Sequence, residues 1–72
     1  MNLWDSISGM MNVELTSADP EAALAAAAEQ GIAIGQIVRK EPLILTFWIR
    51  RWDVPVLQRL CEKRGDRLKL SR

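Results

Sequence analysis

The order of apolar and polar residues along this chain changes period several times, and each change marks an element. Met11-Asn12-Val13-Glu14-Leu15-Thr16 alternates strictly, with Met11, Val13 and Leu15 on one side and Asn12, Glu14 and Thr16 on the other. Period-two alternation is the pattern of a half-buried strand. Leu43-Ile44-Leu45-Thr46-Phe47-Trp48-Ile49 is the longest apolar run, and both of its faces can bury. A strand apolar on both sides belongs in the middle of a sheet or under a second layer. Arg67-Leu68-Lys69-Leu70-Ser71 alternates again, which predicts a last strand with Leu68 and Leu70 inward.

Helical patterns fill the gaps. Ser17-Ala18-Asp19-Pro20-Glu21 reads as a helix start. Asp19 can accept from free first-turn amides, Pro20 suits the first helical position, and Glu21 favours the positive end of the dipole. The alanine-rich run from Ala22 to Gln30 follows, with Leu24, Ala27 and Ala28 expected inward and Gly31 as the left-handed stop. A second helix is expected after Arg51-Trp52, with Asp53 as its cap and Pro55 in its first turn. Val54, Leu57, Leu60 and Cys61 form its inward stripe, Lys63 and Arg64 suit its negative end, and Gly65 ends it.

Between the first helix and the long apolar run, Ile32 to Lys40 predicts a strand of uncertain phase. Ile32 and Ile34 share one side, Ile37 falls on the other, and Gly35 at the change suggests a bulge or bend. Glu41-Pro42 is the expected turn of a hairpin into the strand that ends at Arg50. Ahead of everything, Leu3, Trp4, Ile7 and Met10 recur at about helical spacing, so residues 1–10 read as an amphipathic lead-in ended by Gly9.

The expected order over residues 11–72 is therefore β-α-β-β-α-β. It implies an α+β, ferredoxin-like domain: a four-stranded antiparallel sheet with two helices on one face and the first and third strands central. The other face would expose Ile44, Trp48 and Val38, flanked by Trp52. An uncovered apolar patch of this kind marks an interaction site, and Trp4, Ile44, Trp48 and Trp52 are its candidate residues. Trp4, with Leu3 and Ile7, offers the competing cover, by folding back over the same face.

Composition narrows the chemistry. Seventy-two residues make one small domain, and a hydrophobic content of 49% argues for a packed core rather than disorder. At this size, dimerisation or docking onto a following domain is a common supplement to the core. The chain has one cysteine and no histidine. No intrachain disulfide is possible, and the commonest general base and metal ligand are missing. Neither paired cysteines nor a metal-ligand spacing occurs, so no cofactor or metal is expected. Ser6, Ser8, Ser17 and Ser71 have no histidine to activate them, and Cys61 on an inward stripe reads as an inert thiol. No catalytic residue is assigned and an enzyme is not expected. The first residues show neither a basic region nor a continuous apolar core, so neither a signal peptide nor a membrane span is expected.

Net charge is +1, but it is segregated: all ten basic residues stand at or after Arg39. Solvated faces explain this, as does a basic surface for an anionic partner or head-to-tail self-association. RNA-binding members of this fold place aromatics on their central strands. Here the first strand offers only Asn12, Glu14 and Thr16, so nucleic acid is an unfavoured partner.

Several features together resemble the N-terminal region of the stage IV sporulation protein YqfD family. They are Trp4 and Gly9 before an alternating strand, Pro20-Glu21 with Leu24, Gly31-Ile32 with Ile34, and Ile37-Val38-Arg39. Leu45-Thr46-Phe47, Trp52-Asp53 ahead of Leu57, Arg59 and Lys63-Arg64, and the closing Leu68-Lys69-Leu70 complete the pattern. An aromatic that the family often carries near Gly35 is absent. The resemblance implies a non-enzymatic, sporulation-associated domain on the cytoplasmic side, near a membrane if a span follows. Its expected partner is protein, through self-association on the open sheet face or through a following domain. A small-molecule-sensing domain of the ACT-like kind shares the element order and is the alternative. Against it, Asp19-Pro20-Glu21 puts no glycine at the turn where such domains often admit a ligand.

Overall fold

The computed structural model describes residues 9–71; the expected lead-in, Trp4 included, lies outside them apart from Gly9 and Met10. The elements run β1 (Met10–Thr16), α1 (Pro20–Glu29), β2 (Gly35–Glu41), β3 (Ile44–Arg50), a short 3-10 turn (Arg51–Asp53), α2 (Val54–Arg64) and β4 (Arg67–Ser71). The sheet order is β2-β3-β1-β4, and every neighbouring pair is antiparallel. The first and third strands are thus central, in the β-α-β-β-α-β order read from the pattern.

Strand alternation decides what each face holds. Met11, Val13 and Leu15 stand opposite Ile49, Phe47 and Leu45. Cross-strand partners share a face, so these six residues build one apolar surface. Both helices pack on it: Ala23 and Ala27 of α1 and Val54, Leu57 and Cys61 of α2 join the same buried cluster, with Leu24 and Leu60 against its margin. Phe47, Val13 and Ile49 are fully buried. Ala28, expected inward, is exposed, and Ala23 takes its place. In a helix made almost wholly of alanine no larger side chain fixes the phase, so the face that turns inward is set by the sheet.

Local chemistry sets the helix ends. The Asp19 carboxylate accepts from the Ala22 amide at 3.2 Å, and the Ser17 hydroxyl oxygen accepts from the Asp19 amide at 3.1 Å. Both helices close with the same double bond pattern. The Gly31 amide donates to Ala28 and the Ile32 amide to Ala27; the Gly65 amide donates to Glu62 and the Asp66 amide to Cys61. Gly31 and Gly65 hold φ of 83° and 77°, the left-handed conformation this motif needs. Ile32, next after Gly31, is buried against the core as the motif's apolar contact. Asp53 occupies the position before α2, but its side chain makes no capping bond, because the residue already lies in the 3-10 turn with helical φ and ψ. Its Oδ2 is buried without a hydrogen-bond partner among the described residues.

The second strand departs most from expectation. Ile32 to Ile34 carry no ladder, and β2 begins at Gly35 as an exposed edge strand. Its register against β3 shifts between Gly35 and Val38 and again between Arg39 and Glu41. The first shift is made by Gln36, at φ 49°, one residue beyond the expected glycine. The hairpin turn is Pro42-Leu43 rather than Glu41-Pro42, since Glu41 already pairs with Ile44. Leu43 therefore leaves the apolar run for the turn and is 50% exposed. Leu70, expected inward, lies on the helix side of an edge strand and is 43% exposed.

Gln36 and Gly31 share a left-handed backbone with opposite residue choices, which gives a paired test. Left-handed φ costs an ordinary residue about 1–2 kcal/mol. Nothing lies within 4 Å of a Cβ placed at Gly31, so backbone strain alone would set the cost there. Gln36→Gly should raise stability by about 0.5–1 kcal/mol and Gly31→Ala should lower it by about 1 kcal/mol, read by urea denaturation.

Candidate functional site

The even positions of β1 and β3 point away from the helices. Rows across the sheet read Gly35–Trp48–Asn12–Ser71, Val38–Thr46–Glu14–Lys69 and Ile44–Thr16–Arg67, with Met10 opposite Arg50. Neither helix covers this surface. Its β2–β3 side carries Trp48, Val38 and Ile44, with Thr46 and with Glu41 opposite Ile44, and its β1–β4 side is polar.

The anticipated residues sit as follows. Ile44 and Trp48 lie on this face and are partly buried. Val38 is 58% exposed beside them. Trp48 stands between Asn12 and Gly35, and no heavy atom approaches within 4 Å of the position a Gly35 Cβ would take. Gly35 thus leaves open space on the edge strand beside the tryptophan. Trp52 sits in the 3-10 turn past the end of β3 and is 67% exposed. The Arg50 guanidinium lies over its ring at 5.7 Å from the centroid, within cation–π range. Ile44, Trp48 and Trp52 thus fall along one strand and its exit, while Trp4 lies outside the described residues. The pattern did not single out Ile37, which the bulge leaves 51% exposed at the β2 edge. A break in alternation after Gly35 was the available signal.

Charge on this face is organised around Glu14. Lys40, on β2, reaches across β3 to donate to its Oε1 at 2.9 Å. That hydrogen bond, with the charges of Lys40 and Lys69, holds the Glu14 carboxyl below its ordinary value despite partial burial. The same bond raises the Lys40 ammonium. Arg39, on the helix side, instead pairs with Glu21 at the start of α1 and donates to the Pro42 carbonyl at 2.5 Å. Both pairs tie the edge strand to elements beyond its neighbour.

Little here points to reaction chemistry. Cys61 is buried, and burial followed by the nearby Asp66 carboxylate pushes its thiol up, away from the reactive thiolate. Among the described residues, no group of three or more Cys, Asp or Glu is placed to hold a metal ion, and no helix is long and apolar enough to cross a membrane. A shallow groove of about 390 Å³ runs past Gln30, Val56, Arg59, Leu60, Glu62 and Lys63 on the helix layer. It has a mixed lining and lies away from the tryptophans.

Neither known protein-family models nor curated proteins give a match to this chain.

The Glu14–Lys40 pair has a pH signature. A carboxyl whose folded pKa is depressed contributes stability that is present above the unfolded value and is lost as pH falls through the folded one. Stability should therefore fall as pH drops through and below the ordinary glutamate range, and Lys40→Met should flatten that fall. Denaturant unfolding at stepped pH reads both slopes; equal slopes would mean that the pair does not form in solution.

Proposed function

We propose that this is a non-enzymatic protein-interaction domain that binds through the helix-free face of its sheet. The observation that carries this reading is that partly buried Trp48 and Ile44 and exposed Val38 lie on the helix-free face of the sheet, with exposed Trp52 at the exit of the same strand. Aromatic side chains are enriched in protein interfaces and often act as their anchors. The partner is a second copy of the chain or a following domain of a longer protein. The surrounding charges suit a polar rim, which adds specificity more than affinity.

The biological setting we propose is sporulation, with the domain in the place of the cytoplasmic N-terminal region of a YqfD-type protein. The residue pattern from Trp4 to Leu70 supports it. That setting expects coding sequence beyond Arg72 to run into an apolar span of roughly 18–20 residues. Sequencing of the locus tests this, and a continuation of another kind would remove the setting while leaving the binding surface untouched.

The surface itself is tested by sedimentation over a range of concentrations, with the following domain added in trans where one exists. Trp52→Ala should leave folding stability within about 0.5 kcal/mol, since the side chain is mostly exposed. It should still weaken association, and Trp48→Ser should weaken it further with helical circular dichroism retained. Association unaffected by both substitutions would overturn the reading. Unfolding by Trp48→Ser with no effect of Trp52→Ala would place Trp48 in the core instead.

A further inference from the structure

The two edges of the sheet are not equivalent. At one, β2 breaks register twice and is followed at once by the Pro42-Leu43 turn, irregularities that disfavour the addition of a further strand. At the other, β4 pairs with β1 over Thr16↔Arg67 to Asn12↔Ser71 without a shift, and among the described residues it has a neighbour on one side only. Its free side is a straight, regular backbone edge.

The side chains along that edge specify what fits it. Arg67 and Lys69 stand on the helix-free face, exposed, and form no ion pair among the described residues. Leu68 and Leu70 stand on the helix side, Leu68 half-buried and Leu70 43% exposed. On that side a cleft of about 270 Å³, lined by Gln58, Cys61, Glu62, Asp66 and Leu68, opens between α2 and β4. The bound flank already shows a complement: β1 sets Glu14 opposite Lys69 and Leu15 and Val13 opposite Leu68 and Leu70.

The two antiparallel self-pairings of β4 centred on its middle residues bring like charges together. An antiparallel pair centred on Leu68 puts Arg67 against the second copy's Lys69, and one centred on Lys69 puts lysine against lysine. Like charges directly opposite one another destabilise a ladder.

We propose that the free edge of β4 takes an added strand from a protein partner in which carboxylate and aliphatic residues alternate. The carboxylates lie on the face of Arg67 and Lys69, and the aliphatic side chains cover Leu68 and Leu70. Main-chain bonds would supply affinity and the alternation specificity, as in other strand-addition complexes. This edge is separate from the tryptophan face, so the two surfaces can succeed or fail independently.

The test uses the isotope-labelled chain and a capped hexapeptide alternating valine and glutamate. Amide shifts should concentrate on Arg67–Ser71, and a valine–lysine peptide should not bind. Arg67→Glu, opposite Thr16 and exposed, should weaken the glutamate peptide about fivefold and admit the lysine peptide. N-methylation of the glutamate peptide should abolish binding. Equal binding of both peptides, undiminished binding of the N-methylated one, shifts confined to β2 or Trp48, or no binding at all would each overturn the proposal. The peptide comparison on the unaltered protein decides this even if Arg67→Glu does not fold.

Discussion

Everything in this fold depends on the register between β1 and β3. Val13 opposite Phe47 and Leu15 opposite Leu45 create one continuous apolar face from two central strands. Burial of each such side chain is worth about 1.5–3 kcal/mol, and few others in so short a chain are as deeply buried. A slip of one residue would turn Phe47 and Val13 outward and bring Trp48, Asn12 and Glu14 under the helices. The buried carboxylate alone would make that arrangement costly. The same alternation that fills the core therefore fixes which side chains are left on the opposite face. Trp48 is on the surface because Phe47 is in the core.

The helices adapt to this sheet rather than shaping it. Apart from Pro20 at its start, α1 meets the core through small side chains, Ala23 and Ala27, with Leu24 at the margin. With so little side-chain volume to position it, the helix relies on its ends. Asp19 and Ser17 fix the start, and the Gly31 turn delivers buried Ile32 at the stop. At the far end of α2, the Gly65 turn sends the chain directly into β4, and the Arg64 guanidinium meets Asp66 at 2.8 Å across it. Two left-handed glycines thus set where both crossovers return to the sheet, and hence which strand lies at each edge.

This division explains what the residues alone could reveal. Strands with strict alternation, β1 and β4, were legible because each residue states its face. The order of elements followed, since Pro20, Gly31, Asp53 and Gly65 punctuate it. Legibility failed where the side chain carries no such statement. Alanine at 23 and at 28 looks the same, and only the sheet distinguishes them. Ile32 reads as strand because an isoleucine can be buried equally well at a helix stop. Asp53 reads as a cap, but a capping bond depends on backbone angles that the 3-10 turn does not provide. Leu70 alternates correctly and still lies 43% exposed, because an edge strand reaches past the helix that would cover it. The open face was legible as a set of residues, whereas the bulge at Gln36 required the pairing itself.

Charge segregation along the chain takes on a different meaning in three dimensions. Glu14 and Glu21 come from the acidic first half, and Lys40 and Arg39 from the basic second half; the fold joins them across the sheet and at the α1 start. Exposed pairs of this kind do little to hold the domain together. Their effect is on what remains. The bulge at Lys40 turns that residue toward Glu14 on one face while Arg39 reaches Glu21 on the other, so the β2 edge carries two satisfied cations. On β4, Arg67 stands opposite Thr16, and Lys69 stands opposite Glu14, whose Oε1 already accepts from Lys40. Among the described residues, the irregular edge therefore carries paired cations, whereas Arg67 and Lys69 on the regular edge form no ion pair. Charge and backbone geometry thus agree in making β4, rather than β2, the edge open to an acidic strand.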